Sequence, residues 1–205
     1  MDYSKIVECV GLNQEDIFEI FEYGSHVYGT NAPDSDKDIV VIVRDDVECS
    51  DHIECGEYDI QIIHQSVFKQ KLYDHDIMAL ECFFLNALMY PFDYYEFELD
   101  LSKLRNSISK TSSNSWVKCK KKLTVEENCR KIGIKSLFHS FRIPLFGIQF
   151  ATKGKIINFS IANDLWFEEF QPMIEDESWT WERINSEYKK RHNQLMTEFR
   201  KVAKK

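Results

Sequence analysis

Asp38–Val43 (DIVVIV) is built almost wholly from β-branched side chains. A run with no polar alternation suits a strand covered on both faces, inside a sheet. Phe18–Tyr23 (FEIFEY) precedes it as an aromatic strand candidate, and Tyr58–His64 (YDIQIIH) follows with alternating character. Asp51–Gly56 is placed to form a hairpin with the latter. Between the first two strands, GSHVYGTNAPDSD is rich in turn formers. After Ser66 the period changes. Ser66 is a candidate N-cap for a helix over 67–73, and Asp76 precedes an apolar helix, IMALECFFLNALM, that Pro91 should end.

The second half reads as helices. Residues 101–122 suit a charged helix interrupted by TSSNS at 111–115. Thr124 and Glu127 have capping-box spacing, predicting a helix that runs to about Thr152, kinks at Pro144 and ends at Gly154. A last helix, from about Ser178 to Val202, has Trp179, Trp181, Ile184, Leu195 and Phe199 to bury. The expected fold class is α/β (α+β): a small mixed-sheet core over residues 1–98, then a basic helical region over 99–205 packed on it.

Charge divides at the same place. Residues 1–100 carry 5 Lys and Arg against 23 Asp and Glu, whereas residues 101–205 carry 21 against 11. Lys103–Lys155 alone holds 13 basic residues, with only Glu126 and Glu127 as acids. An acidic half suits divalent cations and a basic half suits phosphates, although mutual attraction of two solvated halves would give the same split. No run of about 18 apolar residues occurs and the N-terminus lacks a basic flank with an apolar stretch, so the expectation is a cytoplasmic protein with no membrane partner. Six cysteines without a C-x-x-C pair argue against zinc-ribbon and thioredoxin-type sites and predict reduced, mostly buried thiols.

The chemistry concentrates in Gly24-Ser25-His26-Val27-Tyr28-Gly29-Thr30 and Asp34-Ser35-Asp36-Lys37-Asp38. Side chains two apart on a strand share a face, with Cα atoms roughly 6.5–7 Å apart. Asp36 and Asp38 so placed suit a pair of divalent ions about 3.5–4 Å apart. Asp59, on the next strand candidate, offers a third carboxylate, with Glu57 in reserve on the same face. Burying like charges together is costly without a cation, so the cluster asks for a metal. Gly24 lets a backbone pass close to a phosphate, and Ser25 with the following amides can donate to its oxygens.

In this order and spacing, GSHVYGTNAPDSDKDIVVIV resembles the signature of the nucleotidyltransferase superfamily that includes beta-type DNA repair polymerases. Its form G-S-x-x-Y-G-T-x-x-x-x-S-D-x-D is similar to that of small bacterial and phage nucleotidyltransferases. EYDIQIIHQSVF, DIMALECFFL and KSLFHSFRIPLFGIQFATKGKI resemble that subgroup's third-carboxylate strand, next helix and long basic helix. The resemblance implies magnesium-dependent transfer, with manganese as a substitute metal. A nucleoside triphosphate would be attacked at its α-phosphate by an acceptor hydroxyl of RNA, DNA, protein or a small molecule, releasing pyrophosphate. It implies metal binding and catalysis by Asp36, Asp38 and Asp59, and β- and γ-phosphate binding by Gly24 and Ser25. Lys135, His139 and Arg142, at i, i+4 and i+7 on one helix face, would approach the triphosphate, with Lys131 one turn further. Lys118-Cys119-Lys120-Lys121-Lys122 could track an RNA backbone or simply be solvated. Tyr94-Tyr95 and the Trp179/Trp181 pair suit a core better than base stacking. The alternative reading is an inactive nucleotidyltransferase-fold module, antitoxin-like or regulatory, that binds nucleotide or nucleic acid. A nucleic-acid adaptor using the basic half alone would leave the acidic cluster unexplained.

Overall fold

β2 (Lys37–Val43) is the strand around which the N-terminal unit is built, and it is buried from Ile39 onward. The computed structural model describes residues 1–89, 97–126 and 129–204, with backbone alone for 86–89, and the chain divides into two compact units, Met1–Glu98 and Leu99–Lys205. The first contains α1 (Tyr3–Val10), β1 (Ile17–Tyr23), α2 (Ser25–Tyr28), β2, β3 (His52–Cys55), β4 (Tyr58–His64), α3 (Gln65–Tyr73) and α4 (Ile77–Met89). The sheet order is β1-β2-β4-β3. β2 runs antiparallel to β1 and parallel to β4, and β3 closes the far edge antiparallel to β4.

Strand alternation sorts the two faces. Ile39, Val41 and Val43, with Ile20, Ile60 and Ile62, pack against Ile6 and Val10 of α1. Burying each such aliphatic contributes roughly 1.5–3 kcal/mol. The other face holds Val40, Ile42 and Ile63 and is covered by α3 and α4, where Phe21 stacks on Phe68 at 5.7 Å. α3 begins one residue before Ser66, whose amide donates to Asp45 Oδ1 at 2.9 Å. A carboxylate from the loop after β2 thus does the capping assigned above to the Ser66 hydroxyl. Asp76 caps α4 through the amides of Met78 and Ala79, while Pro91 and Tyr94-Tyr95 lie outside the described residues.

The cysteine expectation fails at one pair. Cys9 of α1 and Cys55 of β3 form a disulfide, 46 residues apart in sequence but 5.9 Å apart at Cα. Packing of α1 against β3 brings the two together, and sequence spacing carries no trace of it. Cys82 and Cys119 are free and buried; Cys49 and Cys129 are free and half-buried.

The helical unit comprises α5 (Leu101–Thr124), α6 (Arg130–Lys153), a π-helical and 3₁₀ segment over 165–174, and α7 (Trp181–Val202). α5 is continuous through 111–115, contrary to the interruption expected there. Pro144 explains why: lacking an N–H, it leaves the carbonyl four residues earlier, on Ser140, without its helical donor. The buried Ser112 hydroxyl supplies that donor at 2.8 Å and accepts from His192 Nε2 at 3.0 Å. The polar TSSNS stretch therefore repairs α6 from within α5, and α6 continues past Pro144 to its Gly154 cap. Thr124 closes α5 instead of opening the next helix, its hydroxyl donating to Lys120 O at 2.9 Å; Glu127 lies outside the described residues. Trp116, Phe138, Phe141, Trp166, Phe170 and Tyr188 form the core of this unit, with Trp179 and Trp181 packed against it.

Candidate active site

β1 ends at Tyr23, and Gly24 turns the chain into α2 with φ +78° and ψ −152°, a conformation essentially confined to glycine. A Cβ at Gly24 would lie 2.0 Å from Asp38 Oδ2 and 2.7 Å from Asp38 Cγ. The glycine of the Gly-Ser pair is thus fixed twice over, by its backbone conformation and by the carboxylate beside it. Ser25 opens α2 half-buried, and its carbonyl accepts from Thr30 N at 2.9 Å. Amides in a helix's first turn lack helical partners and point outward, the arrangement an anion requires.

Asp38 and Asp59 are direct partners in the parallel β2–β4 ladder. In-register neighbours place their side chains on the same face of the sheet, on strands about 4.8 Å apart. Both are partly exposed at the end where β2 and β4 begin. Asp36 is exposed, one residue before β2. Glu57 is drawn away to Lys37 at 3.0 Å and precedes β4, so Asp59 alone occupies the register position opposite Asp38. The Lys37 hydrogen bond holds the Glu57 carboxyl below the usual carboxylate range.

Three residues that sequence patterns did not single out complete the neighbourhood. Tyr23 pairs with Asp38 across β1–β2, and burial and then Asp38 push its phenol pKa up, with Cys82, Asp59 and Glu81 acting the same way. Glu81 of α4 is 3% exposed and accepts from the Tyr28 hydroxyl, which ties α2 to α4. His52 of β3 lies with Nε2 2.6 Å from Asp59 Oδ1. The loop from Gly29 to Asp36 is held by His26 Nε2 against Ser35 O at 3.0 Å, and by Ala32 N donating to Ser35 Oγ at 2.9 Å.

On the helical unit, Lys135 and His139 are half-buried and Arg142 is buried, its guanidinium 5.0 Å from the Phe146 ring centroid. Burial, then Arg142, Lys135 and Lys118, push the His139 pKa well below its ordinary value, so the ring is neutral among cations. Lys118 of α5 thereby joins the group laid out along α6. The lysine run is less free than its sequence suggests: Lys121 and Lys122 both pair with Glu126.

The nucleotidyltransferase domain family matches residues 4–110, which span the whole sheet and the Gly-Ser and Asp-x-Asp segments. The chain belongs to that family. No curated protein matches it. Within this nucleotidyltransferase domain the donor set around β2 and β4 is all carboxylate, which fits a hard divalent cation. Among the described residues no group of three His, Cys, Asp or Glu side chains stands close enough to enclose an ion unaided. A metal at Asp38 and Asp59 would then complete its shell with water and substrate phosphates, the habit of magnesium. Gly24, lacking a Cβ, lets the Asp38 carboxylate pack directly against its backbone. Among the described residues no helix is long and apolar enough to cross a membrane.

Proposed function

We propose that this nucleotidyltransferase domain is catalytically active, moving a nucleoside monophosphate from a nucleoside triphosphate to an acceptor hydroxyl with release of pyrophosphate. The reading is carried by the in-register pair Asp38–Asp59, set beside a glycine that Asp38 itself makes obligatory. A degraded binding module would have no reason to keep that pairing of glycine and carboxylate. Asp36, Asp38 and Asp59 would hold magnesium, or manganese in its place, which when bound neutralises the triphosphate and acidifies the acceptor hydroxyl. Gly24 and Ser25 receive the β- and γ-phosphates on the α2 amides and the serine hydroxyl. Asp59 takes the proton of the attacking hydroxyl. Little covalent work falls to the protein; holding the groups in line and compensating charge supply most of the acceleration. Lys135, His139 and Arg142 would supply the cationic and polar groups for phosphate oxygens, neutral His139 through a single hydrogen bond. RNA is among the acceptors that the basic helices would suit.

The test is incubation with each nucleoside triphosphate labelled at the α-phosphate, with magnesium, with and without total RNA, following where label goes. Asp36→Ala and Asp38→Ala should each lower transfer at least ~100-fold, in line with losing one element of charge stabilisation. Their melting temperatures should be unchanged or higher in metal-free buffer, because each removes one member of a like-charged group. Near-normal turnover in either variant would refute the mechanism, and unfolding of both would make the carboxylates structural.

A further inference from the structure

We infer that His52 is a positioning residue for Asp59, an inference that rests on the proposed transfer reaction. The contact is direct: Nε2 lies 2.6 Å from Oδ1. A carboxylate only accepts, so Nε2 carries the proton and donates. A short hydrogen bond of this kind fixes the carboxylate's rotation and commits one oxygen, leaving Oδ2 for the cation or the acceptor hydroxyl.

The edge strand is constructed to deliver this side chain. His52 and Glu54 share the face of Asp59, while Ile53 and Cys55 turn to the α1 face, where Ile53 packs on the apolar cluster and Cys55 is bonded to Cys9. At the other end, Ile62 N donates to Asp51 O at 2.9 Å, and Ser50 Oγ donates to His52 O at 3.1 Å. His52 is therefore pinned on both sides by backbone and disulfide, although its own side chain is 52% exposed. An exposed four-residue edge strand with that much anchoring has a task beyond closing the sheet. Asp59 lies in register with Asp38 on β2 and Glu54 on β3, and His52, opposite Gln61, reaches its carboxylate diagonally across the β3–β4 pair.

The experiment compares His52→Ala and His52→Gln in the full chain, by steady-state kinetics with magnesium and by Mn²⁺ binding in the presence of a non-hydrolysable triphosphate analogue. Losing an outer partner of a metal-binding carboxylate typically costs ~10–100-fold, so His52→Ala should lose that much in kcat and in Mn²⁺ affinity, with KM for the triphosphate nearly unchanged. His52→Gln keeps an N–H donor and should recover most of both. In an Asp59→Asn background, His52→Ala should have no further effect on Mn²⁺ affinity. If His52→Ala matches wild type in both readouts, binds Mn²⁺ more tightly, or is not rescued by glutamine, the inference is overturned. Should wild type transfer no nucleotide while Mn²⁺ affinity still depends on His52 as described, the proposed reaction fails and the positioning role stands.

Discussion

Gly24→Ala probes the site through sterics. The alanine must adopt φ +78° and ψ −152°, a region that costs a non-glycine residue about 1–3 kcal/mol. Its methyl must also find room where Asp38 Oδ2 lies 2.0 Å away and Asp38 Cγ 2.7 Å away. Forcing such overlap costs a further ~1–3 kcal/mol, so the sum is roughly 2–6 kcal/mol. At ~4–8 °C per kcal/mol for a unit of about 100 residues, the melting temperature should fall by at least ~8 °C. Differential scanning calorimetry measures this, and transfer should disappear even below the melting temperature, because Asp38 must rotate away. The two causes separate in a double-mutant cycle. Asp38→Ala removes the Oδ2 and Cγ contacts and leaves only the Cβ contact at 2.9 Å, so it should return the overlap part of the loss but not the backbone part. A Gly24→Ala protein that melts within ~2 °C of wild type, or a double variant whose losses simply add, would refute the reasoning.

Two further outcomes follow from the packing. Burial, with Lys189 nearby, pushes the His192 pKa down to about 4 from 6.5. The folded state therefore holds this ring neutral and binds fewer protons than the unfolded chain, so stability is intact above pH 6.5 and falls as pH drops toward 4. Between pH 7 and pH 5 urea denaturation should show wild type losing about 2 kcal/mol more than His192→Gln, and equal losses would contradict the assignment. The Cys9–Cys55 bond closes a long loop, with 46 residues separating its ends, and on loop-entropy grounds is worth roughly 4 kcal/mol. Replacing both cysteines by alanine should lower the denaturant midpoint accordingly, and an unchanged midpoint under non-reducing conditions would show that the bond contributes nothing to stability.

The strands were legible because their signals are local. β-branched density marked β2, alternation marked β4, and the turn-rich spacer between Tyr23 and Asp38 marked where the first strand ends and the second begins. Asp38 and Asp59 could be proposed because strand parity converts spacing into a shared face, and Gly24 and Ser25 because a Gly-Ser turn after a strand suits a phosphate; Asp36, also proposed by parity, stands one residue before β2. What stayed hidden depends on partners distant in sequence. α1 is a short helix whose Ile6 and Val10 gain meaning only against the sheet. His52 is one histidine in an unremarkable hairpin until strand pairing sets it opposite Gln61, diagonally within reach of Asp59. The polar residues at 111–115 look like a break because nothing near them reveals that a proline on another helix has left the Ser140 carbonyl to be satisfied. The Tyr-Gly-Thr part of the motif carried a hint: a tyrosine in so polar a turn is a candidate to be anchored, and Glu81 proves to be its anchor.

The parallel register of β2 and β4 has a consequence for quality control during folding. If β4 slipped by one residue, Asp59 and Gln61 would turn toward Ile6 and Val10, while Ile60 and Ile62 would leave the α1 face. Placing an uncompensated carboxylate in that apolar layer costs several kcal/mol, enough to make the misaligned strand a rare species. The alignment of the acidic pair is thus inherited from aliphatic side chains on the opposite face of the sheet. Changes that blunt the contrast at Ile60 or Ile62 would act on the yield of correctly registered molecules. A preparation of such a variant would contain fewer competent copies, each turning over at the normal rate.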